Sequence, residues 1–173
     1  VWALQTGVEA AGSPMPDYYL LSDADIAHPP DSLTRLVSHA VTTSADLVSL
    51  MAMLRVGSLT DRLLLPAFVY FFAKVYPFRW SNSETHRTAA AAGGCVLLKR
   101  TALDRVGGLA AISGAVIDDC SLAAAITRSG GRTWLGLTRD VHSVRSYGSV
   151  APVWDMVART AYTQLGHSPL ALV

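Results

Sequence analysis

Four apolar residues, Tyr18-Tyr19-Leu20-Leu21, run without a break into Ser22-Asp23-Ala24-Asp25. A continuous apolar run this short reads as a strand buried on both faces, as in sheets that carry helices on each side. Acids placed where such a strand ends lie at the carboxyl edge of an open α/β sheet, the edge off which ligands bind in that architecture. The expected fold is therefore a mixed α/β sheet with helices on both faces.

The rest of the chain alternates accordingly. Residues 1–11 are weakly helical, and Gly12 to Pro16 form a loop. Pro29-Pro30 and Asp31 start a helix in which Leu33, Leu36, Val37 and Ala40 fall on one face. Asp46 to Leu54 reads as a strand, Ser81 to Thr88 as a polar loop, and Ala89 to Lys99 as a strand entered through Gly93-Gly94. Thr101 is expected to cap a short helix that ends at Gly107-Gly108. Asp118-Asp119 opens a helix packed through Leu122, Ala123 and Ile126 and stopped at Gly130-Gly131. Strands at 133–137 and 141–147 follow, then an amphipathic helix over 152–165.

The stretch from Leu63 to Phe78 is the most apolar, and Pro66 and Lys74 interrupt it. It falls short of the ~20 apolar residues a membrane-spanning helix needs. Tyr76, Phe78, Arg79 and Trp80 at its end favour the lipid headgroup layer, so a membrane-surface helix is expected, with a plain core helix as the alternative.

Composition narrows the function classes. With 51% hydrophobic residues among 173, disorder is excluded. Fourteen basic residues against 13 acidic ones leave no nucleic-acid footprint. The mean hydropathy of +0.33 instead favours a membrane or a partner surface. Two cysteines, Cys95 and Cys120, make neither a disulfide framework nor a zinc site and read as buried thiols. The chain opens without Met and stops within an apolar run, so it reads as an internal piece of a longer protein.

Asp23 and Asp25 stand at i and i+2, which in extended chain point the same way. Their mutual repulsion is relieved by a divalent cation, and all-oxygen ligation favours Mg²⁺ or Mn²⁺ over zinc. His28 is a candidate further ligand or phosphate contact, and solvated loop carboxylates are the alternative reading. Asp118 and Asp119 either decorate a helix N-terminus or supply a general base. Arg159, on the last helix, is a candidate guanidinium for a diphosphate or else a surface residue, and Arg145 and His142 are weaker candidates of the same kind.

Three motifs in order resemble the family-2 glycosyltransferases of the GT-A fold. Asp23-Ala-Asp25 is similar to their metal-binding motif, and Gly93-Gly94-Cys-Val-Leu-Leu-Lys-Arg100 to their acceptor-side strand. Asp118-Asp119-Cys-Ser-Leu122 is similar to their Glu-Asp-x-x-Leu segment, with Asp118 in place of Glu. Residues 23–30, 76–80, 88–95 and 158–165 are closer still to the hopene-associated subgroup.

The resemblance implies a metal-dependent, inverting transfer of sugar from a nucleotide-diphosphate donor, of UDP-sugar type, to a lipid acceptor such as a hopanoid. Asp25 binds the metal with Asp23 and His28. Asp119 is the catalytic base, and Asp23, Asp118, Gly93, Gly94 and Arg159 line the donor and acceptor. Arg159 matches only the Arg of the Gln-x-x-Arg-Trp motif, since Met156 and Thr160 replace its Gln and Trp. Residues 1–150 are then part of a catalytic domain, preceded in the family by a nucleotide-binding half. Residues 151–173 are an amphipathic helix leading into a transmembrane segment, with the site on the cytoplasmic face of the inner membrane. Two other readings share the Asp-x-Asp signature: a Mg²⁺-dependent phosphatase or phosphotransferase of the haloacid dehalogenase class, and a non-catalytic membrane-binding module.

Overall fold

A computed structural model describes residues 2–115 and 118–164, with backbone alone for Arg159 and 161–164. In chain order the elements are α1 (Trp2–Glu9), β1 (Tyr18–Ser22), β2 (Ile26–Ala27), α2 (Ser32–Thr43), β3 (Leu47–Met53), α3 (Leu59–Val75) and α4 (Phe78–Ser81). There follow β4 (Cys95–Lys99), α5 (Arg100–Arg105), a 3₁₀ turn (Leu109–Ile112), α6 (Asp118–Arg128), β5 (Thr133–Ser143) and α7 (Val150–Gln164).

The strands form one mixed sheet in the order β1-β4-β3-β5-β2. Strand β4 runs antiparallel to both neighbours, with Leu97 opposite Leu20 on one side and Val48 on the other. Strands β3 and β5 are parallel. The side-chain period of two sorts the residues of β4 to two cores. Val96 and Leu98 pack with Leu47, Leu103, Leu109, Leu122 and Ile126, under α5 and α6. Cys95 and Leu97 pack with Leu36, Ala40, Val48 and Val141, under α2. Every wholly buried leucine here is worth about 2 kcal/mol of apolar burial, so truncating Leu98 opens both a cavity and the centre of the sheet.

The first two strands stand at opposite edges of the sheet, so the acidic segment between them crosses over the strand ends. Ile26 and Ala27 pair with Ser143 and His142 on the far side. Gly94 lies under this crossing: a Cβ there would sit 3.2 Å from Ile26 Cδ1 and 3.7 Å from Ala52 Cβ. A side chain at 94 would press on Ile26, which would have to give by a few tenths of an ångström.

Local chemistry sets the ends of α3 and α6. Ser58 caps α3: its hydroxyl accepts from the Asp61 N–H at 3.0 Å, and the Asp61 carboxylate accepts from the Ser58 N–H at 3.0 Å. Helix α6 gives way at Gly130, whose φ of +80° is open to glycine at little cost.

Several expectations need correction. Strand β1 is an edge strand with Leu20 exposed, because only β4 pairs with it among the described residues. Leu33 is exposed, whereas Leu36 and Ala40 of the same helix are buried. Helix α3 begins at Leu59, four residues before the apolar run, because the capping box and not hydropathy sets its start. Residues 89–94 approach the sheet without joining its ladder, and β4 begins at Cys95. Thr101 lies inside α5, with Lys99 at the cap position. The two strands expected at 133–137 and 141–147 are one, β5, whose pairing with β3 jumps from Met51–Leu137 to Met53–His142. Helix α7 begins at Val150, two residues before the expected start, and the segment expected to begin a membrane span lies outside the described residues. Both cysteines are buried free thiols, and burial pushes Cys95 up to about 11 and Cys120 up to about 12.

Candidate functional site

The crossing segment carries Asp23 and Asp25, and α6 brings Asp118 and Asp119 to the same end of the sheet. Asp23, Asp118, Asp119 and Gly93 line one cavity of about 330 Å³, walled by Leu4, Leu21, Val96 and Leu122. Three acids from two sequence regions thus converge where the strand end was expected to place a ligand.

Asp119 is the most constrained of them. Its Oδ1 accepts from the Cys120 N–H at 2.7 Å, and its carboxylate faces the Gly93 backbone. A Cβ on Gly93 would stand 3.2 Å from Asp119 Oδ2, close enough that the carboxylate would have to give by a few tenths of an ångström. Burial raises the Asp119 carboxyl, and the Asp118 charge adds to it. The backbone donors pull the other way, and the net position is about 6.

Behind Asp119, Tyr76 follows the end of α3, and the Cys120 thiol donates to the Ala91 carbonyl at 3.4 Å. Tyr76 packs on the buried cluster of Phe72, Ala90, Cys120 and Leu135. Burial, then the neighbouring Cys120 and Asp119, raises its phenol pKa.

Asp23 is solvent-accessible, but partial burial at the cavity wall raises its carboxyl, and the charges of Asp25 and Asp118 raise it further. Asp25 is held differently: Ser143 Oγ donates to its Oδ2 at 2.7 Å, and the Val144 N–H donates to its backbone carbonyl at 2.8 Å. Ser143 also accepts from the Arg145 N–H at 3.1 Å, which keeps the chain after β5 beside the acidic crossing.

Among the described residues no three His, Cys, Asp or Glu side chains converge as a ready-made metal site. The donor set still suits a hard cation. Mg²⁺ is commonly held by one or two carboxylates and completed by substrate phosphates, and the crowding of Asp23 with Asp25 and Asp118 is what a cation relieves. His28 is engaged elsewhere, with Nε2 2.8 Å from Ser22 Oγ and Nδ1 3.4 Å from Ser32 Oγ. Ser22 also donates to the Gly94 carbonyl at 3.2 Å. The backbone of Arg159 lies in α7, but its side chain lies outside the described ones.

Two contributors escaped the sequence reading. Ser143 gave no signal, being one serine among many at a strand end. Asp61 was legible as the fourth residue of Ser58-Leu-Thr-Asp, a capping spacing. It is wholly buried, and its Oδ2 accepts from the N–H groups of Gly57 and Ser58, which closes the start of α3.

The model of the family described as "Glycosyl transferase family 21" matches residues 2–173. No curated protein matches the chain.

Proposed function

This chain belongs to glycosyl transferase family 21 and is a glycosyltransferase; we propose that it moves a sugar from a nucleotide-diphosphate donor to a lipid acceptor, with inversion. Membership in this family sets aside the phosphatase and the non-catalytic readings of the same acids. The observation that carries the proposal is the meeting of Asp23, Asp118 and Asp119 in one cavity against Gly93.

Asp119 is the base. Held near 6, it is largely ionised at neutral pH yet basic enough to take a proton from a hydroxyl as that hydroxyl attacks. The acceptor oxygen forms a bond to the anomeric carbon, the bond from that carbon to the diphosphate oxygen breaks with its electron pair, and the acceptor proton ends on Asp119. Attack from the face opposite the leaving group inverts the centre. A diphosphate leaves without protonation, which is why no second carboxylic acid of the glycosidase kind is needed. Asp25 and Asp23 would hold Mg²⁺ or Mn²⁺, which when bound neutralises charge on the diphosphate. His28 would join them only by giving up Ser22. Arg159 is the proposed diphosphate clamp.

A lipid acceptor is supported by a second, apolar cavity of about 620 Å³ between α3 and the sheet, lined by Met51, Met53, Leu65, Val69, Phe78 and Leu137. Met51 and Phe78 also pack against the cluster that contains Cys120, the residue next to the base. The GT-A fold, the hopene-associated likeness, a UDP-sugar donor and a site on the cytoplasmic face of the inner membrane rest on the sequence motifs and belong to the same proposal.

The test is Asp119→Asn assayed with labelled nucleotide sugars and a lipid extract. Loss of transfer with donor binding intact is the expected result, and retained turnover refutes the assignment.

A further inference from the structure

Helix α3 turns an apolar side outward. Its exposed residues are Leu59, Arg62, Leu63, Pro66, Ala67, Tyr70 and Lys74, one stripe at helical spacing. Leu59 is 83% exposed, Leu63 75% and Tyr70 64%. The stripe continues onto α7 through Trp154, 68% exposed, beside an apolar groove of about 370 Å³ between Phe68, Phe71, Val153 and Val157. Contiguous apolar surface of this kind marks a docking face.

Charge says what docks there. Residues 54–80 hold four basic side chains, Arg55, Arg62, Lys74 and Arg79, and one acid, Asp61, which is wholly buried under the start of α3, while α7 adds one exposed acid, Asp155, beside Trp154. Arg62 and Lys74 stand in the stripe itself, and Lys74 Nζ lies 5.6 Å from the centre of the Tyr70 ring. Neither has an ion pair among the described residues. An apolar stripe bordered by cations, with an aromatic ring under one of them, complements a negatively charged headgroup layer over an acyl layer. At 17 residues, about 25 Å, α3 is too short to cross a bilayer, and no described helix is long and apolar enough to do so.

We propose that the α3–α7 face docks onto an anionic lipid leaflet, with α3 in the headgroup plane and Arg62 and Lys74 on the lipid phosphates. The cavity behind α3 then opens beside the acyl layer, which delivers the acceptor. The inference rests on the lipid-acceptor reading and adds the charge of the surface that presents that lipid.

Co-sedimentation of the full chain with phosphatidylcholine vesicles, and with phosphatidylcholine–phosphatidylglycerol vesicles, tests it. Binding to the anionic vesicles is expected to be about tenfold tighter or more, given about 1 kcal/mol per basic residue at such a surface, and to fall with salt. The double variant Arg62→Glu/Lys74→Glu should lose the preference, and Leu63→Asp should lose binding. All three positions are exposed, so the fold is kept and circular dichroism checks that it is. Equal binding to both vesicles, or binding unchanged in either variant, overturns the proposal. So does self-association in the absence of lipid that Leu63→Asp abolishes, since the face then joins two copies of the chain. Nucleotide-sugar binding in the presence of Mg²⁺, measured on the same protein, separates the failures: donor bound without vesicle binding sinks the docking alone.

Discussion

Ser143 donates a 2.7 Å hydrogen bond to Asp25 across 118 positions of sequence. It joins the last strand to the acidic crossing, and Ser143 itself is buried, so the bond cannot be replaced by bulk water. A bond from a buried hydroxyl to a carboxylate is worth about 2 kcal/mol, and the groups that orient a metal-binding carboxylate often govern affinity about tenfold. Ser143→Ala is therefore expected to lower stability by about 2 kcal/mol in urea denaturation and, on the proposal that Asp25 holds the metal, to weaken Mn²⁺ binding about tenfold. Unchanged values in both measurements would show that Asp25 needs no such support.

Asp119 makes activity and stability respond oppositely to pH. On the proposal that Asp119 is the base, it works only when ionised, so kcat/KM should rise as pH passes through about 6 and level off above it. The fold disfavours that ionised form, because the folded-state value lies above the ordinary 3.8. Its contribution to stability is thus whole below about pH 4 and lost as pH rises through 6. Asp119→Asn removes the cost and should be more stable than the parent at pH 7, on the order of 2 kcal/mol, with the gap closing near pH 4. Thermal denaturation at the two pH values reads both arms. A variant less stable at pH 7 contradicts the buried placement of the charge.

How much of this was legible in the sequence depended on whether the deciding force was local. The acids at the end of an apolar run, and the pair that opens α6, were visible because burial and helix entry leave marks over a few residues. Edge position was not: nothing in Tyr18-Tyr19-Leu20-Leu21 says that only one neighbour pairs with it, and Leu20 is exposed as a result. The single strand β5 was divided because Thr138 to Asp140 are polar, whereas the chain only shifts its pairing there and resumes at His142. Ser143 was invisible because its meaning lies in Asp25, a contact that only the order of strands creates. Gly93 and Gly94 were singled out as points of close approach, but that one faces Asp119 and the other Ile26 is a tertiary fact.

Gly93 offers the sharpest geometric test. Its φ is not in the left-handed region, so alanine imposes no backbone strain, and the added methyl meets Asp119 Oδ2 at 3.2 Å. Asp119 cannot easily retreat, since Cys120 holds its other oxygen at 2.7 Å. A shift of a few tenths of an ångström in the base should lower kcat about tenfold while leaving the melting temperature nearly unchanged. Alanine at Gly94 meets Ile26 and Ala52 carbon atoms instead and should cost stability as well. Equal kcat in Gly93→Ala and the parent means that the base is not where this contact puts it.

Asp61 separates a structural carboxylate from the reacting ones. Burial acts to raise its carboxyl, but the N–H groups of Gly57, Ser58 and Gly148 and the Ser58 hydroxyl outweigh burial and hold it below the ordinary 3.8. A lowered value means stability that is present above about pH 4 and lost as pH falls further. Asp61→Asn replaces one acceptor oxygen by a donor that cannot face those N–H groups. The variant should melt at a lower temperature at pH 7, and the difference should shrink below pH 4 as the parent carboxyl takes up its proton. Amide exchange at Gly57 and Ser58 should quicken before exchange in β4 does, because those are the donors released. Exchange that quickens uniformly along the chain contradicts this, since Asp61 would then support the whole core and not the start of α3 alone.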